Sequence, residues 1–385
     1  MAYWDYYDPN FDWNDVRELS KPDIAHSRCR FASLGLSDNE CDELLRSGYS
    51  VLRNDVVIDR FYGGHILSTD GRTRFPLERL KNVIGAGSPR LKPTSVSSLT
   101  ELKNVVDRLR SQYNSLLFRG QTNSYAIARS KKNSFFTTDK DEISLLPSLW
   151  REQWRRSPLS YLSFTSLTLF EWSSIIYAGF DQNEIARRVE AINAAGGWIH
   201  SAQDMEDSDD PLLQRFGKAR LDLMMGADFN LADSLGTLLQ HYGLYSPLLD
   251  LTSDIEVALF FATHKFRRGS ANCSYDFIGT NHRNAVLYVF RQDRNEMQQH
   301  EHQRVLDLVK PLRPDRQSCV VCRSGPFALN LAAEFLVAAI TLDFDISAAM
   351  KTAVAHLFPG PSEDSFLAAM CVKLEKPELI VKFQQ

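Results

Sequence analysis

The spacing of apolar positions divides the chain into recognisable pieces. From Ser97 to Arg110 the residues Leu102, Val105, Val106 and Leu109 fall on one face of a helix. Ser98 stands where an N-cap belongs, and Glu101 follows three residues later. The next apolar run, Leu116-Leu117-Phe118, reads as a short strand ending at Arg119. Residues 160 to 180 form a long apolar-aromatic segment, which predicts a buried helix, and Asp228 to Gln240 shows helical periodicity. The block from Gln240 to Ala262 strings together a His-Tyr-Gly turn, a Leu-Leu-Asp-Leu-Thr run and an apolar helix-like segment. Ala285 to Phe290 and Glu334 to Leu342 are rich in apolar and β-branched residues, as strands are. Helices gathered in the middle, with strands before and after, predict an α+β architecture.

The first 90 residues differ from the rest. The start alternates aromatics with acids (Tyr3, Trp4, Asp5, Tyr6, Tyr7, Asp8, Phe11, Asp12, Trp13, Asp15), a pattern suited to a strap docked on the core or to a partner site. Gly63-Gly64 and Asp70-Gly71 are hairpin-type turn signals. The stretch Gly85-Ala86-Gly87-Ser88-Pro89, then Lys92-Pro93, is the best linker. An accessory region over 1–92 and a main domain over 93–385 follow from this shift.

Composition narrows the class. A chain of 385 residues with 44% apolar and 24% charged residues has enough material for a sizeable core in one large or two unequal domains. A net charge of -4 gives no general attraction to nucleic acid or acidic membranes, although local basic patches such as Arg129 to Lys132 and Arg267-Arg268 exist. Of six cysteines only Cys319 and Cys322 have metal or redox spacing, and no second pair completes a zinc set. No metal is expected. The N-terminus lacks a basic-then-apolar signal, and no apolar run approaches the roughly 20 residues of a membrane span. A cytoplasmic protein without membrane partners is the expectation. No internal repeat is present. The Gly-x-Ser-x-Gly elbow, the Walker loop, His-Glu-x-x-His and Gly-x-Gly-x-x-Gly are all missing.

Several motifs occur in a telling order: Phe118-Arg119-Gly120-Gln121, then Leu146-Pro147-Ser148-Leu149-Trp150-Arg151, then Gln240-His241-Tyr242-Gly243. Leu248-Leu249-Asp250-Leu251-Thr252 and Val257-Ala258-Leu259-Phe260-Phe261-Ala262 follow. From about Val96 to Leu374 the chain thereby resembles the FRG domain family, named for its Phe-Arg-Gly motif. It departs from the family at Ser246-Pro247 and Leu251, where Thr-Arg and Trp are usual. Any phosphate-binding task of that missing arginine would pass to Arg119 or Arg151, or be absent. Arg316-Gln317 looks like part of the family's C-terminal Arg/Gln motif. An aromatic-Arg-Gly strand end is also similar to the first motif of arginine-type ADP-ribosyltransferases. Ala333-Glu334-Phe335-Leu336-Val337 resembles a late strand of toxin and phage-defence members that modify nucleic acid. The resemblance implies an ADP-ribosyltransferase-like split β-sheet core with inserted helices, NAD as substrate, and an antitoxin or chaperone partner.

Cleaving the nicotinamide–ribose bond passes through an oxocarbenium-like transition state. Such a site needs a cation for the pyrophosphate, an aromatic face for nicotinamide, and a carboxylate that holds the ribose hydroxyl and offsets developing charge. On this reading Arg119 is the anchor, flanked by Phe118, Gln121 and Tyr125, and Gly120 lets backbone approach the ligand. Tyr242 or Phe260 is the aromatic platform, and Glu334 is the catalytic acid. Asp250 and Thr252 position the ribose or fix the turn, and His241 is a turn histidine or a general base. Arg119 paired with Asp250, and Asp250 capping the following helix, are the structural alternatives. Ser163-Phe164-Thr165-Ser166 resembles the transferases' Ser-Thr-Ser element or packs in the core. An acceptor, nucleic acid or protein, would meet a basic groove of Arg129, Lys131, Lys132, Arg151, Arg155 and Arg156. A non-catalytic nucleotide- or partner-binding module and an NAD glycohydrolase are the rival functions.

Overall fold

In the computed structural model the residues described below are 19–46, 49–51, 56–59, 64–68, 91, 94–127, 142–143, 145, 177, 180–224, 238, 240–243, 248–269, 272–280, 284–292, 297–299, 311–322, 335–346 and 353–373. Helices α1 (Lys21–Ser33) and α2 (Asp38–Arg46) precede a small antiparallel sheet of β1 (Tyr49–Val51), β2 (Val56–Asp59) and β3 (Gly64–Ser68). Next come β4 (Thr94–Val96), α3 (Leu99–Gln112), β5 (Leu116–Gln121) and a two-stranded ribbon of β6 (Ala126–Ile127) with β7 (Glu142–Ile143). Helices α4 (Gln182–Ala194), α5 (Ala202–Glu206) and α6 (Pro211–Met224) occupy the middle of the chain. The block singled out in the sequence supplies β8 (Leu249–Thr252) and α7 (Ile255–Thr263), and runs directly into a hairpin of β9 (His264–Arg268) and β10 (Cys273–Phe277). Strands β11 (Val286–Arg291) and β12 (Met297–Gln299), helix α8 (Leu312–Arg316), strands β13 (Cys319–Cys322) and β14 (Leu336–Leu342), and helices α9 (Val354–Leu357) and α10 (Ser365–Lys373) complete it.

The fold is α+β. Seven strands make the main sheet in the order β12-β13-β8-β5-β11-β14-β4, antiparallel except where β14 meets β4. Side chains alternate across a strand, so β5 and β11 feed two cores. Phe118, Leu287 and Val289 pack with Leu102 and Val106 of α3 and with Ala258, Leu259 and Ala262 of α7. Leu117, Tyr288 and Phe290 pack on the opposite face with Leu249, Leu251 and Val320. All of β11 from Val286 to Phe290 is buried, which explains its unbroken apolar run. A helical core lies in α4, α6 and α10, where Ile185, Leu213, Phe216, Leu367 and Met370 meet.

Local signals account for most boundaries. Ser98 caps α3 by accepting from the Glu101 amide, and Glu101 in turn accepts from Ser97 rather than Ser98. Strand β5 does not stop at Arg119; pairing with β11 carries it to Gln121. The strand expected from Glu334 is described from Leu336. Asp59 pairs with Gly64, so the chain reverses at the first of the two turn signals; Asp70-Gly71 lies outside the described residues. Most of residues 160–180, and Asp228 through Thr237, lie outside them as well. Among the described residues no helix is long and apolar enough to cross a membrane.

Candidate functional site

The sheet opens where the unusual residues sit. Strand β8 pairs with β13 along its whole length, and β5 pairs with β11 along its whole length. Between them β5 and β8 share one pair, Phe118↔Thr252. Toward Gly120 and Asp250 no further pair forms, and the ladder forks. Arg119 stands at this fork opposite Tyr288, and its Nη1 donates to the Asp250 carbonyl oxygen at 2.6 Å. A guanidinium thus bonds a carbonyl oxygen of β8 where a neighbouring strand would otherwise run. The Arg119–Asp250 ion pair considered as the structural alternative takes the form of a contact to the Asp250 backbone.

A cleft of about 160 Å³ occupies the fork, lined by Arg119, Gly120, Gln240, His241, Asp250, Thr252, Val257, Phe261, Tyr275, Gln317 and Phe358 among others. Asp250 is its acid. Oδ1 accepts from the Cys319 thiol at 3.1 Å, which orients the carboxylate, and Nε2 of the buried His241 lies 3.6 Å away, beyond hydrogen-bond reach. Oδ2 has no partner among the described residues. His241, Asp250 and Cys319 present nitrogen, oxygen and sulfur atoms within 4.8 Å of one another, a set that could hold a cation. Burial first and the charge of Asp250 second push the Cys319 thiol well above its usual range. The thiol therefore stays protonated and serves Asp250 as a donor. Cys322, three positions on, packs in the core of the other face, so the Cys-x-x-Cys spacing does not bring two thiols together.

One short segment braces the cleft from behind. Thr252 Oγ1 donates to the Gln317 carbonyl oxygen at 2.8 Å and accepts from the Asp254 amide at 3.0 Å. Its hydroxyl makes turn contacts, the structural one of the two roles considered for it. Gln317 Nε2 donates to the Leu357 carbonyl oxygen beside Phe358. Arg313, fully buried, donates from Nη1 to the His241 carbonyl oxygen at 3.2 Å and places its guanidinium carbon 4.8 Å over the Tyr242 ring. Burial pulls the Arg313 pKa down, while Tyr242 and Asp364 pull it back up. Arg316, by contrast, reaches away to Glu363 and the His356 carbonyl oxygen.

Residues 184–271 match the family model described as the FRG domain. The chain carries an FRG domain. The match covers under a quarter of the chain, from α4 through β8 and α7 to the hairpin, and no curated protein and no solved structure matches. Phe118-Arg119-Gly120 lies outside the FRG match; the sheet brings it beside β8 and α7, which lie inside. Gln240-His241-Tyr242-Gly243 ends in a glycine at φ +88°, the left-handed value that lets the FRG turn close.

Several assignments change within this cleft. Gly120 serves the protein rather than a ligand: a Cβ there would lie 1.6 Å from the Ala258 carbonyl oxygen of α7. Tyr242 and Phe260 are not platforms. Tyr242 is buried in the helical core and donates to Asp364, and Phe260 is fully buried with its ring 4.0 Å from His264. Phe261, Tyr275 and Phe358 line the cleft instead, with Tyr275 and Phe358 stacked at 4.9 Å. Phe118 touches the cleft from its buried side. Gln121 and Tyr125 follow Arg119 in sequence without lining the cleft; Tyr125 is half exposed. Asp254, not Asp250, caps α7 by accepting from the Glu256 amide. Glu334, Arg129, Lys131, Lys132, Arg151, Arg155, Arg156 and Ser163 to Ser166 lie outside the described residues. Tyr275, Phe358 and Arg313 carried no sequence signal beyond ordinary aromatic and basic content; only the neighbouring Arg316-Gln317 pointed toward them.

Proposed function

We propose that the cleft binds NAD at its nicotinamide–ribose end and transfers the ADP-ribosyl group to an acceptor. The observation that carries this reading is the fork between β5 and β8, which sets the Arg119 guanidinium and the Asp250 carboxylate on one cleft walled by aromatic rings. A volume of about 160 Å³ is below the roughly 300–1,000 Å³ of a pocket that encloses a whole small molecule. The dinucleotide would accordingly lie across the mouth with one end inside. Arg119 takes phosphate oxygens, for which a planar cation is suited. Phe261, Tyr275 and Phe358 hold the nicotinamide face. Asp250, fixed through Oδ1, offers Oδ2 to a ribose hydroxyl and to the charge that builds at C1′. The C–N bond breaks with its electron pair leaving to nicotinamide. An acceptor nitrogen or oxygen then bonds to C1′ and releases its proton. No redox partner is required.

Glu334 remains the alternative acid. The strand after it begins at Leu336 opposite Phe290, whereas Ala339 shares a row with Tyr288 and Arg119, so the described geometry favours Asp250. NAD labelled in its adenylate phosphate, incubated with RNA, DNA or protein, tests the proposal. Label on one acceptor supports it, free ADP-ribose alone indicates the glycohydrolase, and neither indicates a binding module. Arg119→Lys keeps the charge but loses the fork, and NAD binding should weaken about tenfold or more. Asp250→Asn and Glu334→Gln then separate the two acids, since only the true one should abolish turnover while NAD still binds. A cytoplasmic toxin or defence role with a restraining antitoxin or chaperone is the setting such an activity implies.

A further inference from the structure

We propose that the β9–β10 hairpin is a docking arm that delivers single-stranded nucleic acid to the cleft; this rests on the transferase reading and names its acceptor class. The hairpin leaves α7 without a connecting loop, and its two faces differ. One face carries His264 paired with Phe277, Phe266 with Tyr275, and Arg268 with Cys273. Its rings are joined through the buried Phe260, 4.0 Å from His264 and 5.4 Å from Tyr275. Phe266 lies 5.4 Å from Tyr275, Tyr275 stacks on Phe358 at 4.9 Å, and His264 meets Phe277 at 5.2 Å. Tyr275 and Phe358 line the cleft, while Phe266 and Phe277 are 40% and 46% exposed, so the series runs from the site onto the surface. The second face and the tip are basic. Lys265, Arg267 and Arg268 are exposed, and among the hairpin's described residues Asp276, bonded to Arg267, is the one acid.

Half-exposed rings flanked by cations match the requirements of a single strand. Unpaired bases stack on aromatic faces, and backbone phosphates pass along the cations. A duplex hides its base faces, and an acidic peptide has no need of the rings. With a net charge of -4 for the whole chain, binding must come from a local patch, and this ribbon adjoins the candidate site.

The test uses the full-length protein and fluorescein-labelled 12-nucleotide oligo(U) and oligo(dT), read by anisotropy. Lys265, Arg267 and Arg268 offer at most three phosphate contacts, so on a single strand the slope of log K against log salt should be no steeper than about -2, or up to about 18-fold weaker binding at 200 mM than at 50 mM salt. Lys265→Glu/Arg267→Glu/Arg268→Glu should flatten that slope, and Phe266→Ala should weaken binding about tenfold. Both sets of changes are on the surface, and an unchanged melting temperature confirms the fold. Absence of salt-dependent binding, binding indifferent to both variants, or tighter binding of poly-glutamate than of either oligonucleotide overturns the proposal. Binding needs no NAD, so its failure is separate from failure of the transferase reading. If both hold, the triple variant loses label on nucleic acid yet still releases nicotinamide into water.

Discussion

Replacing Gly120 by alanine tests the packing on which the cleft depends. A Cβ at this position would sit 1.6 Å from the Ala258 carbonyl oxygen and 2.7 Å from both the Ala258 carbonyl carbon and the Ala262 nitrogen. Carbon–oxygen contacts settle near 3.3 Å, so α7 must retreat by about 1.7 Å or β5 must twist away. Every obstructing atom is backbone, and no rotamer change relieves the clash. The helix that must move has six buried residues, Val257 to Phe260 together with Ala262 and Thr263. Overpacking costs about 1–3 kcal/mol, and a backbone obstacle belongs at the upper end. About 3 kcal/mol is roughly a 150-fold loss in the folding equilibrium. At a glycine with room for a methyl group the sign is opposite, since alanine stabilises by about 0.4–1 kcal/mol through the unfolded chain. Urea unfolding followed by circular dichroism reads the difference directly. A neutral or stabilised Gly120→Ala protein would refute the direct strand–helix contact. Loss of NAD binding at full stability would return Gly120 to the ligand.

Three further outcomes follow from single contacts. Arg313→Met keeps an apolar stem but removes the donor to His241 and the cation beside Asp364; a loss of about 2–3 kcal/mol is expected in the same unfolding assay, and a neutral result would show that the brace is dispensable. Asp254→Ala removes the side-chain cap of α7, which should cost about 1 kcal/mol, whereas Asp250→Ala should not unwind the helix. Burial lowers the His264 pKa, so the unfolded chain takes up the proton first. Stability should then fall as pH drops below about 6.5 and level off below the folded pKa, and His264→Phe, which keeps the stack on Phe260, should flatten that limb between pH 7 and 5.

The sequence was most informative where one local rule sufficed. Helix α3 is legible from Ser98 and the face of Leu102 and Val106, and β11 from its unbroken apolar run, because capping and burial act within a few residues. The cleft was legible in part. Arg119, His241, Asp250 and Thr252 were found because polar groups inside apolar runs need a reason to be there. Their partners were not, because each contact spans a long separation: Asp250 meets Cys319, Thr252 meets Gln317, and Arg313 meets His241. Choosing among aromatic rings failed for the same reason. Phe260 and Phe261 are neighbours on one helix, and only the packing of Phe358 and Tyr275 decides which ring faces the core and which the cleft.

The fork stays open because the segment from Arg313 to Cys319 fastens its walls separately. Arg313 holds the backbone of the His241 turn, Gln317 holds the chain before Phe358, the Gln317 carbonyl oxygen holds Thr252, and Cys319 holds the Asp250 carboxylate. These side chains and carbonyl groups are thereby anchored without closing β5 onto β8. The turn that permits this leaves Ser318 at φ +46°, a left-handed conformation that a residue with a Cβ adopts at a cost of about 1 kcal/mol or more. Among the described residues Arg119 reaches across the open part of the fork, where its Nη1 bonds the Asp250 carbonyl oxygen. On the proposed reading, a phosphate at the cleft would offer Arg119 Nη1 a charged acceptor in place of the neutral Asp250 carbonyl, and charge-assisted bonds are about twice as strong. None of the contacts that fasten the walls involves Arg119, so the proposed exchange would move that side chain without breaking them.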